Sequence, residues 1–430
     1  MTDLAFPLAT KLTEKLGSFA SEQICLAWGV KADLKKLQST MSTIKDVLLD
    51  AEQKQAHNQQ IRSWLRQLKD VFLDAEDLLD EFECEALRRE VVRRFFSRSN
   101  PIAFRLRVGH EIKEIRGRLD ELKSNKAIFD SLTSIDHHGG GGDHHERVNV
   151  THSFLRASKV IGRESRVHGN MELEDFGELY FKDLWARYFF QNVIDFHVFY
   201  IFDMHHLIHD LVQSVAQDEC FIVKNANTID ISENVRHLTV LEAGQNVSTT
   251  LQKLNQVRTI ETCEIDMDES FMCTCFSRFK YLRVGVLPKC SLQVLPSSIG
   301  SLKHLRYLAF NLNEAITKLP NAICRLQSLQ TLNFVYCENL QELPRDISKL
   351  ISLTSLFLTT KQTSFTENGV GCLKSLRFLN ISRCSNLTSL PRETSYLAAL
   401  RTLWIADCKQ LDLGNVNYQG TPLRLILRNS

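Results

Sequence analysis

Histidine and cysteine side chains are the groups in this chain best suited to bind a metal ion. Four histidines lie within residues 136–145, on both sides of four consecutive glycines, and Cys273 and Cys275 are separated by one residue. A structural zinc site commonly combines two cysteine pairs, or a cysteine pair with a histidine pair. Neither cysteine has such a second pair at ligand spacing. We therefore predict no metal site. No catalytic residues and no enzymatic activity are predicted either.

A set of carboxylates suggests binding chemistry instead. Asp74, Asp77 and Glu81 follow one another at spacings of three and four residues, and Asp80 lies beside them. This spacing places side chains on one face of an α-helix, opposite the apolar stripe that contains Leu78. The face is either a solvated helix surface or a docking surface for a basic partner. Helical carboxylates alone lack the oxygen-rich loop that calcium prefers.

If the acidic face is a docking surface, Asp77, Asp80 and Glu81 are its candidate partner-binding residues. A basic counterpart is available near the repeated pattern described below. Its candidate residues are Arg306, Arg377, Arg383 and Arg401. Charge complementarity of this kind mainly sets orientation and association rate.

Four amphipathic helices are predicted for the first 130 residues, because apolar residues recur there at intervals of three and four. The apolar stripes run from Leu4 to Phe19, from Leu34 to Leu48, from Ile61 to Phe82 and from Val108 to Leu122. Gly29, His57-Asn58 and Asn100-Pro101 interrupt the pattern. Short connections favour an antiparallel four-helix bundle over a single long coiled coil.

A sequence repeat dominates residues 282–413. The pattern Leu-x-x-Leu-x followed by Phe, Leu or Ile begins at residues 305, 329, 353, 376 and 400, so the copies are 24, 24, 23 and 24 residues apart. A looser copy begins at Leu282, and the inward position after each strand holds Asn313, Cys290, Cys337, Cys384 or Cys408. This period is typical of a leucine-rich repeat, in which stacked units share one core. The cysteines are thus explained as core residues of a reduced protein.

The predicted strands present two rows of outward side chains. Strand alternation sends Leu308 and Phe310 into the core and the residues between them outward. The rows are Tyr307, Thr331, Ser355, Phe378 and Thr402, and Ala309, Asn333, Phe357, Asn380 and Trp404. Aromatic residues on an exposed face often dominate binding, so the four aromatic members are candidate partner-binding residues on the concave face. Packing of these rings across neighbouring strands is the alternative.

The N-terminal helices resemble the Rx-type coiled-coil domain of plant intracellular disease-resistance proteins, which also carry nucleotide-binding and leucine-rich-repeat regions. The segment Glu76-Asp77-Leu78-Leu79-Asp80 is similar to the acidic motif of that family, and the RGA type is the nearest subgroup. Residues 176–191 resemble the family's winged-helix part. Met204-His205 resembles its Met-His-Asp element, but His206 stands in place of the Asp.

The phrase Val-Ile-Gly-Arg-Glu at residues 160–164 resembles the start of the family's nucleotide-binding domain. A phosphate-binding loop, GxxxxGK[ST], is expected some tens of residues later, but the chain contains neither Gly-Lys-Ser nor Gly-Lys-Thr. We therefore predict that most of this domain is missing between about Arg166 and Met171, through natural truncation or a mis-spliced gene model. ADP or ATP is the cofactor expected of intact relatives, and no cofactor is predicted here.

The predicted fold class is multidomain, α plus α/β solenoid. It comprises a helical bundle at 1–130, a flexible Gly/His linker at 131–159, a winged-helix remnant at 160–232 and leucine-rich repeats at 233–430. Two short strands near Val235 and Val257 are expected to cap the solenoid as irregular first repeats.

The resemblance implies an innate-immune, receptor-like protein. Its repeats would recognise a pathogen effector or a guarded host protein, and its bundle would signal or dock on partners that include other immune receptors. A nucleotide-operated switch and a truncated adaptor or decoy of a full-length receptor are the alternatives. The net charge of +1 does not indicate nucleic acid. No apolar run reaches the length of a transmembrane helix, so a cytoplasmic location is expected, with the plasma-membrane periphery and the nucleus as alternatives.

Overall fold

The computed structural model divides the chain into two compact units. The first comprises residues 1–76 and 101–217, and the second comprises residues 77–100 and 218–430. The residues described are 5–21, 30–55, 58–92, 101–125, 173–195, 200–216, 219–224, 231–242, 251–263, 267, 269–365, 369–390, 397, 399–412 and 424–428. The predicted linker at 131–159 and the Val-Ile-Gly-Arg-Glu phrase lie outside them.

The four predicted N-terminal helices are present. They are α1 (Ala5–Ser21), α2 (Lys31–Lys54), α3 (Gln59–Val92) and α4 (Pro101–Ser124). Their apolar stripes form the buried core, with Leu12, Leu34 and Phe72 fully buried. The Asn58 side chain accepts hydrogen bonds from the backbone N–H groups of residues 60 and 61, at 2.9 and 3.2 Å, and so caps the start of α3.

Helix α3 belongs to both units, because the division falls between Glu76 and Asp77. In the first unit, the indole Nε1 of Trp64 donates to the carbonyl of Leu122 in α4 at 3.0 Å. This bond satisfies the polar end of a ring that is otherwise buried.

The winged-helix segment follows in the first unit. It consists of α5 (Leu173–Ala186), the antiparallel pair β1 (Phe190–Asp195) and β2 (Tyr200–Met204), and α6 (His206–Ala216). The ring of Phe181 lies 4.4 Å from that of Tyr200 and 5.2 Å from that of Phe190, which packs α5 on the hairpin. Nδ1 of His205 accepts a hydrogen bond from the N–H of Leu207 at 3.2 Å, so this histidine caps α6.

The second unit contains a ten-stranded parallel sheet, with its strands in chain order. They are β3 (Cys220–Val223), β4 (His237–Val240), β5 (Thr259–Thr262), β6 (Val284–Val286), β7 (Tyr307–Ala309), β8 (Thr331–Phe334), β9 (Ser355–Leu358), β10 (Phe378–Ser382), β11 (Thr402–Ala406) and β12 (Arg424–Arg428). The predicted solenoid is therefore confirmed. Its sheet begins at Cys220, earlier than the boundary predicted at residue 233, because β3 pairs in parallel with β4.

Short 3₁₀ helices form the return segments of the repeats. They are Ser297–Ser301, Asn321–Arg325, Ile347–Lys349 and Val370–Cys372. Pro296 and Pro320 precede the first two with φ of −59° and −68°, the angle that the proline ring imposes. A Cβ on Gly300 would lie 2.6 Å from the carbonyl oxygen of Ala322, so glycine permits close stacking of neighbouring return segments.

One irregular repeat contains a helix that the sequence pattern did not predict. Helix α7 (Glu269–Arg278) follows β5 and buries Phe271, Met272, Cys275 and Phe276. Burial raises the pKa of the Cys275 thiol, which is consistent with a core position for this residue. Among the described residues, no group of three His, Cys, Asp or Glu side chains is arranged to hold a metal ion.

The inward Asn and Cys positions bond backbone carbonyls of their own repeat or of the preceding one. Asn313 Nδ2 donates to the carbonyls of Leu287 and Phe310, at 3.0 and 2.7 Å. The thiol of Cys337 donates to the carbonyl of Phe310 at 3.1 Å, and that of Cys408 to the carbonyl of Ile381 at 3.6 Å. These side chains satisfy buried carbonyls where each strand ends.

Candidate protein-interaction sites

The residue directly before each of four consecutive strands is an arginine. This first arginine row consists of Arg236, Arg258, Arg283 and Arg306, before β4, β5, β6 and β7. Each backbone N–H of the last three donates to the carbonyl of the preceding arginine, at 2.7, 2.7 and 2.8 Å. The row therefore follows the sheet, with about 4.8 Å between neighbouring strands.

The first arginine row binds the acidic face of α3 within the second unit. Oδ1 of Asp77 lies 2.8 Å from both Arg258 and Arg283, and Oδ2 of Asp80 lies 2.7 Å from Arg283 and 3.2 Å from Arg306. Helix residues three positions apart are separated by about 5–6 Å. This distance nearly equals the strand spacing, so successive carboxylates meet successive arginines.

Longer ion pairs lie at the border of this cluster. Glu81 is 3.6 Å from Lys303, and Glu83 is 3.9 Å from Arg306. Both contacts include partly exposed side chains, and exposed ion pairs contribute only about 0–1 kcal/mol. The part of the site that depends most on its charge partners is therefore the buried pair of aspartates with its arginines.

Burial sets the electrostatics of the cluster. Asp77 and Asp80 are 5% and 3% exposed. Burial raises the pKa of the Asp77 carboxyl, and the guanidinium groups of Arg258 and Arg283 counteract that effect. A buried ion pair adds little net stability, but removing one partner leaves an uncompensated charge. The cluster therefore specifies where the part of α3 from Asp77 onward lies on the sheet more than it adds stability.

His304 and Cys84 also lie where α3 contacts the repeats in the second unit. His304 is buried next to Tyr281, with 5.7 Å between the ring centroids. Burial lowers the pKa of His304 to about 4, although Asp80 and Glu81 act in the opposite direction. The ring is therefore neutral at pH 7. The Cys84 sulfur lies 3.1 Å from the Ser328 hydroxyl and 3.2 Å from the Lys303 carbonyl.

The acidic face of α3 was interpreted above either as a solvated helix surface or as a docking surface. Asp77 and Asp80 are buried, so this part of α3 is not a solvated surface. Of the expected basic counterparts, Arg306 lies in the cluster, whereas Arg383 lies 3.1 Å from Glu338 and over the ring of Tyr336.

Sequence reasoning missed the first three arginines of the row. A signal was present, since Arg236 and Arg258 are the second residues of the two irregular strands predicted to begin at Val235 and Val257. Placing those strands in register with the regular repeats would have aligned the arginines.

The predicted outward rows lie in register on the sheet. Tyr307 faces Thr331 on β8, and Asn380 lies between Phe357 and Trp404 on adjacent strands. The four aromatic residues, Tyr307, Phe357, Phe378 and Trp404, are all half-buried.

Two details refine this surface. The rings of Phe357 and Phe378 lie 5.0 Å apart and tilted, within the range of a favourable aromatic pair. Ala309 was expected to face outward but is buried. Its methyl group is short, and the longer side chains of Val286 and Asn333 flank it on the neighbouring strands.

Three family models match successive parts of the chain. The Rx N-terminal domain matches residues 8–107, the disease resistance protein winged helix domain matches residues 158–212, and the leucine-rich repeat region matches residues 256–416. In chain order, the matched parts are therefore similar to an Rx-type helical domain, a winged-helix domain and leucine-rich repeats.

Part of this chain is similar in sequence to the RGA disease-resistance proteins of Solanum bulbocastanum. It is 34% identical to RGA4 over 153 residues, 37% identical to RGA1 over 145 residues and 34% identical to RGA2 over 155 residues. These stretches cover 36%, 34% and 36% of this chain, but only 15%, 12% and 15% of the relatives.

Solved leucine-rich-repeat structures also resemble the chain. The protein LIC12759 of Leptospira interrogans has a TM-score of 0.32 and 21% identity, over 46% of this chain and 54% of that one. The leucine-rich-repeat domain of the type III effector XopL has a TM-score of 0.32 and 18% identity, over 52% of this chain and 81% of that one.

Proposed function

We propose that this chain is a plant immune recognition protein, and not an enzyme, that binds a protein partner through the outward face of its leucine-rich-repeat sheet. The partner is a pathogen effector or a guarded host protein. The observation that carries the proposal is the aromatic surface formed by Phe357, Phe378 and Trp404. These side chains alternate with core residues, and they keep part of their area exposed on strands whose opposite face is fully packed.

The homology to disease-resistance proteins supports the same role. A family assignment alone does not specify a site, because function depends on particular residues on a fold. The geometry of strands β9 to β11 supports the proposed site, because large rings there stand next to Asn380 and Ser355. Rigid aromatic anchors beside small polar groups are common in the central part of protein interfaces.

The N-terminal helices have a second role in this proposal. Asp77 and Asp80 are occupied by the first arginine row, so they hold the part of α3 that begins at Asp77 on the first repeats. An external basic partner would have to displace Arg258 and Arg283. Within the described residues, no helix is long and apolar enough to span a bilayer. The similarity to disease-resistance proteins supports a cytoplasmic location, which we propose together with recognition at the sheet.

Protein capture from leaf tissue tests the proposal. Tagged wild-type chain, Trp404→Ala and Trp185→Ala are expressed at equal levels, and captured proteins are quantified by mass spectrometry. Trp185 is 40% exposed on α5, so its variant controls for the loss of a tryptophan outside the sheet. We expect at least one protein to be depleted with Trp404→Ala and retained with Trp185→Ala. Identical capture by all three chains would contradict the proposal.

A further inference from the structure

The thiol pair, Cys384 and Cys408, occupies the same position in two adjacent repeats. Each cysteine lies two residues after the end of its strand, β10 or β11. These strands pair in register up to Ser382 and Ala406, and the N–H of Arg383 donates to the carbonyl of Ala406 at 2.8 Å. Neighbouring strands lie about 4.8 Å apart. The backbone therefore holds the thiol pair within the range typical of a disulfide, about 4.4–6.8 Å between Cα atoms.

The side chains of the thiol pair also contact each other. The Cys384 sulfur lies 3.7 Å from the carbonyl oxygen of Leu358, and the Cys408 sulfur lies 3.6 Å from that of Ile381. Leu358 and Ile381 are paired on β9 and β10, so the two sulfurs take equivalent places one repeat apart. The Cys384 thiol donates a hydrogen bond to the Cys408 sulfur. Backbone spacing and side-chain contact therefore both suit a bond between the sulfurs.

The other inward positions of the repeats separate their cysteines. Asn313 lies between Cys290 and Cys337 in the sequence of inward positions. On the repeat before Cys384, the neighbour is Thr360, whose N–H donates to the Cys384 sulfur at 3.4 Å. Across the part of the chain that the structure describes, no third His, Cys, Asp or Glu side chain joins the thiol pair to hold a metal ion. This arrangement favours redox chemistry of two thiols over metal binding.

The two thiols differ in exposure and in acidity. Cys408 is half-buried, whereas Cys384 is fully buried. The hydrogen bond from Cys384 lowers the pKa of Cys408, although burial and the Asp407 carboxylate act in the opposite direction. The same hydrogen bond, together with burial, raises the pKa of the Cys384 thiol. Because the thiolate is the nucleophile, a small oxidant from solvent would react with Cys408 first.

We propose that the thiol pair is a peroxide-reactive modification site, at which hydrogen peroxide oxidises Cys408 and Cys384 then closes a disulfide between adjacent repeats. In the first step the Cys408 thiolate attacks one oxygen of the peroxide. An S–O bond forms as the O–O bond breaks, which gives a sulfenic acid, and the released hydroxide takes a proton from solvent to become water.

The second step forms the disulfide. The Cys384 sulfur attacks the sulfenic sulfur of Cys408, so that an S–S bond forms and the S–O bond breaks. The departing hydroxide takes the proton of the Cys384 thiol and leaves as water. The two sulfurs together lose two electrons, and these electrons reduce one molecule of hydrogen peroxide to two molecules of water.

The disulfide would join β10 and β11, which are otherwise held by packing and backbone hydrogen bonds. Closing the loop between them removes chain entropy from the unfolded state. Each repeat of a solenoid contacts mainly its neighbours, so the stabilisation should be concentrated near these two strands. The inference goes beyond the proposed function, because neither thiol belongs to the aromatic surface of Phe357, Phe378 and Trp404.

Peroxide treatment of the purified full chain, followed by tryptic peptide mapping, tests the site. The tryptic peptides 384–392 and 402–409 each contain one cysteine of the thiol pair. The variants are Cys408→Ser, Cys384→Ser and Cys372→Ser. Cys372 is half-buried like Cys408, so its variant controls for the loss of one partly exposed thiol. Dimedone traps sulfenic acids, and far-UV circular dichroism with thermal melting confirms that each variant is folded.

We expect the two peptides of wild type to become linked, with the loss of two hydrogen atoms in mass, and to separate again in dithiothreitol. Cys384→Ser should form no link and should give a dimedone adduct at Cys408. That adduct should form about tenfold faster than any adduct at Cys372, because the reaction follows thiolate character. Cys408→Ser should give no link, and Cys372→Ser should behave like wild type.

Three results would overturn the inference. The first is the absence of linked peptides in folded wild-type chain under excess peroxide, which needs no variant. The second is a dimedone adduct at Cys372 of Cys384→Ser with none at Cys408. The third is conversion of Cys408 to sulfinic acid in wild type without a link, since Cys384 would then not act as the second thiol. Partner capture through Trp404 depends on none of these results.

Discussion

Replacing Asp77 by Asn tests the buried ion-pair cluster. The substitution keeps the shape of the side chain but removes the charge that lies 2.8 Å from both Arg258 and Arg283. Breaking one partner of a buried pair costs about 3–5 kcal/mol. Arg283 keeps Asp80 at 2.7 Å, so the expected loss is near the lower limit, about 3 kcal/mol.

Asp74→Asn is the matched control on the same helix. Asp74 pairs with Arg118 at 2.6 Å, but the side chains are 27% and 41% exposed, and exposed pairs contribute about 0–1 kcal/mol. The two variants therefore differ in burial and not in residue type. A control loss as large as that of Asp77→Asn would show that the loss is not specific to the buried cluster.

Hydrogen exchange at residues 77–86 and at β5 to β7 measures the effect, because it reports local opening free energies separately from global unfolding. Asp77→Asn should increase exchange in both segments. If Asp77→Asn lowered protection no more than Asp74→Asn did, the assignment of α3 to the first arginine row would be refuted.

Three further predictions concern pH, packing and nucleotides. The pKa of His304 is lowered to about 4 from 6.5 in the folded protein. As the pH falls, the unfolded state therefore binds a proton before the folded state does. The contribution of neutral His304 to the free energy of unfolding is full above about pH 6.5 and is lost as the pH falls towards 4. Urea titrations at pH 5 and 7 should show this loss of stability in wild type and a smaller loss in His304→Gln. The raised pKa of Asp77 has the opposite effect, because protonation of its carboxyl favours the folded state as the pH falls. Gly300→Ala should cost about 1–3 kcal/mol in thermal or urea unfolding, because its Cβ would lie 2.6 Å from a backbone oxygen; Gly109→Ala, with nothing within 4 Å, should be neutral or stabilising. Calorimetric titration should detect no tight ADP or ATP binding, and a dissociation constant of about 1 μM or below, near −8 kcal/mol, would show that a site exists without the expected phosphate loop.

Periodic apolar patterns predicted most of the fold. The three- and four-residue spacing located α1 to α4, and the repeat of about 24 residues placed the strands from β7 to β11 in register. Both signals arise because one face of each element must be buried. The early strands were harder to predict. Strand β3 and helix α7 belong to irregular repeats, where Phe271 and Phe276 fill the core in place of the usual leucines.

The sites were predicted less completely. Helical spacing identified Asp77 and Asp80, since three residues separate side chains on one face. The partners could not be found from local spacing, because Arg283 is 206 residues away from Asp77 and meets it only through the tertiary fold. The burial of His304 likewise depends on the neighbouring α3 and on Tyr281, which sequence patterning does not bring together.

Binding of the captured partner to purified full-length variants tests the central claim most directly. Calorimetry with Trp404→Ala and Phe357→Ala should show affinities weaker by about 2 kcal/mol or more, roughly thirtyfold, with little change in thermal stability. Trp185→Ala should bind like wild type. Wild-type affinity in both sheet variants, or early unfolding together with normal binding after refolding, would contradict recognition through the outward sheet face.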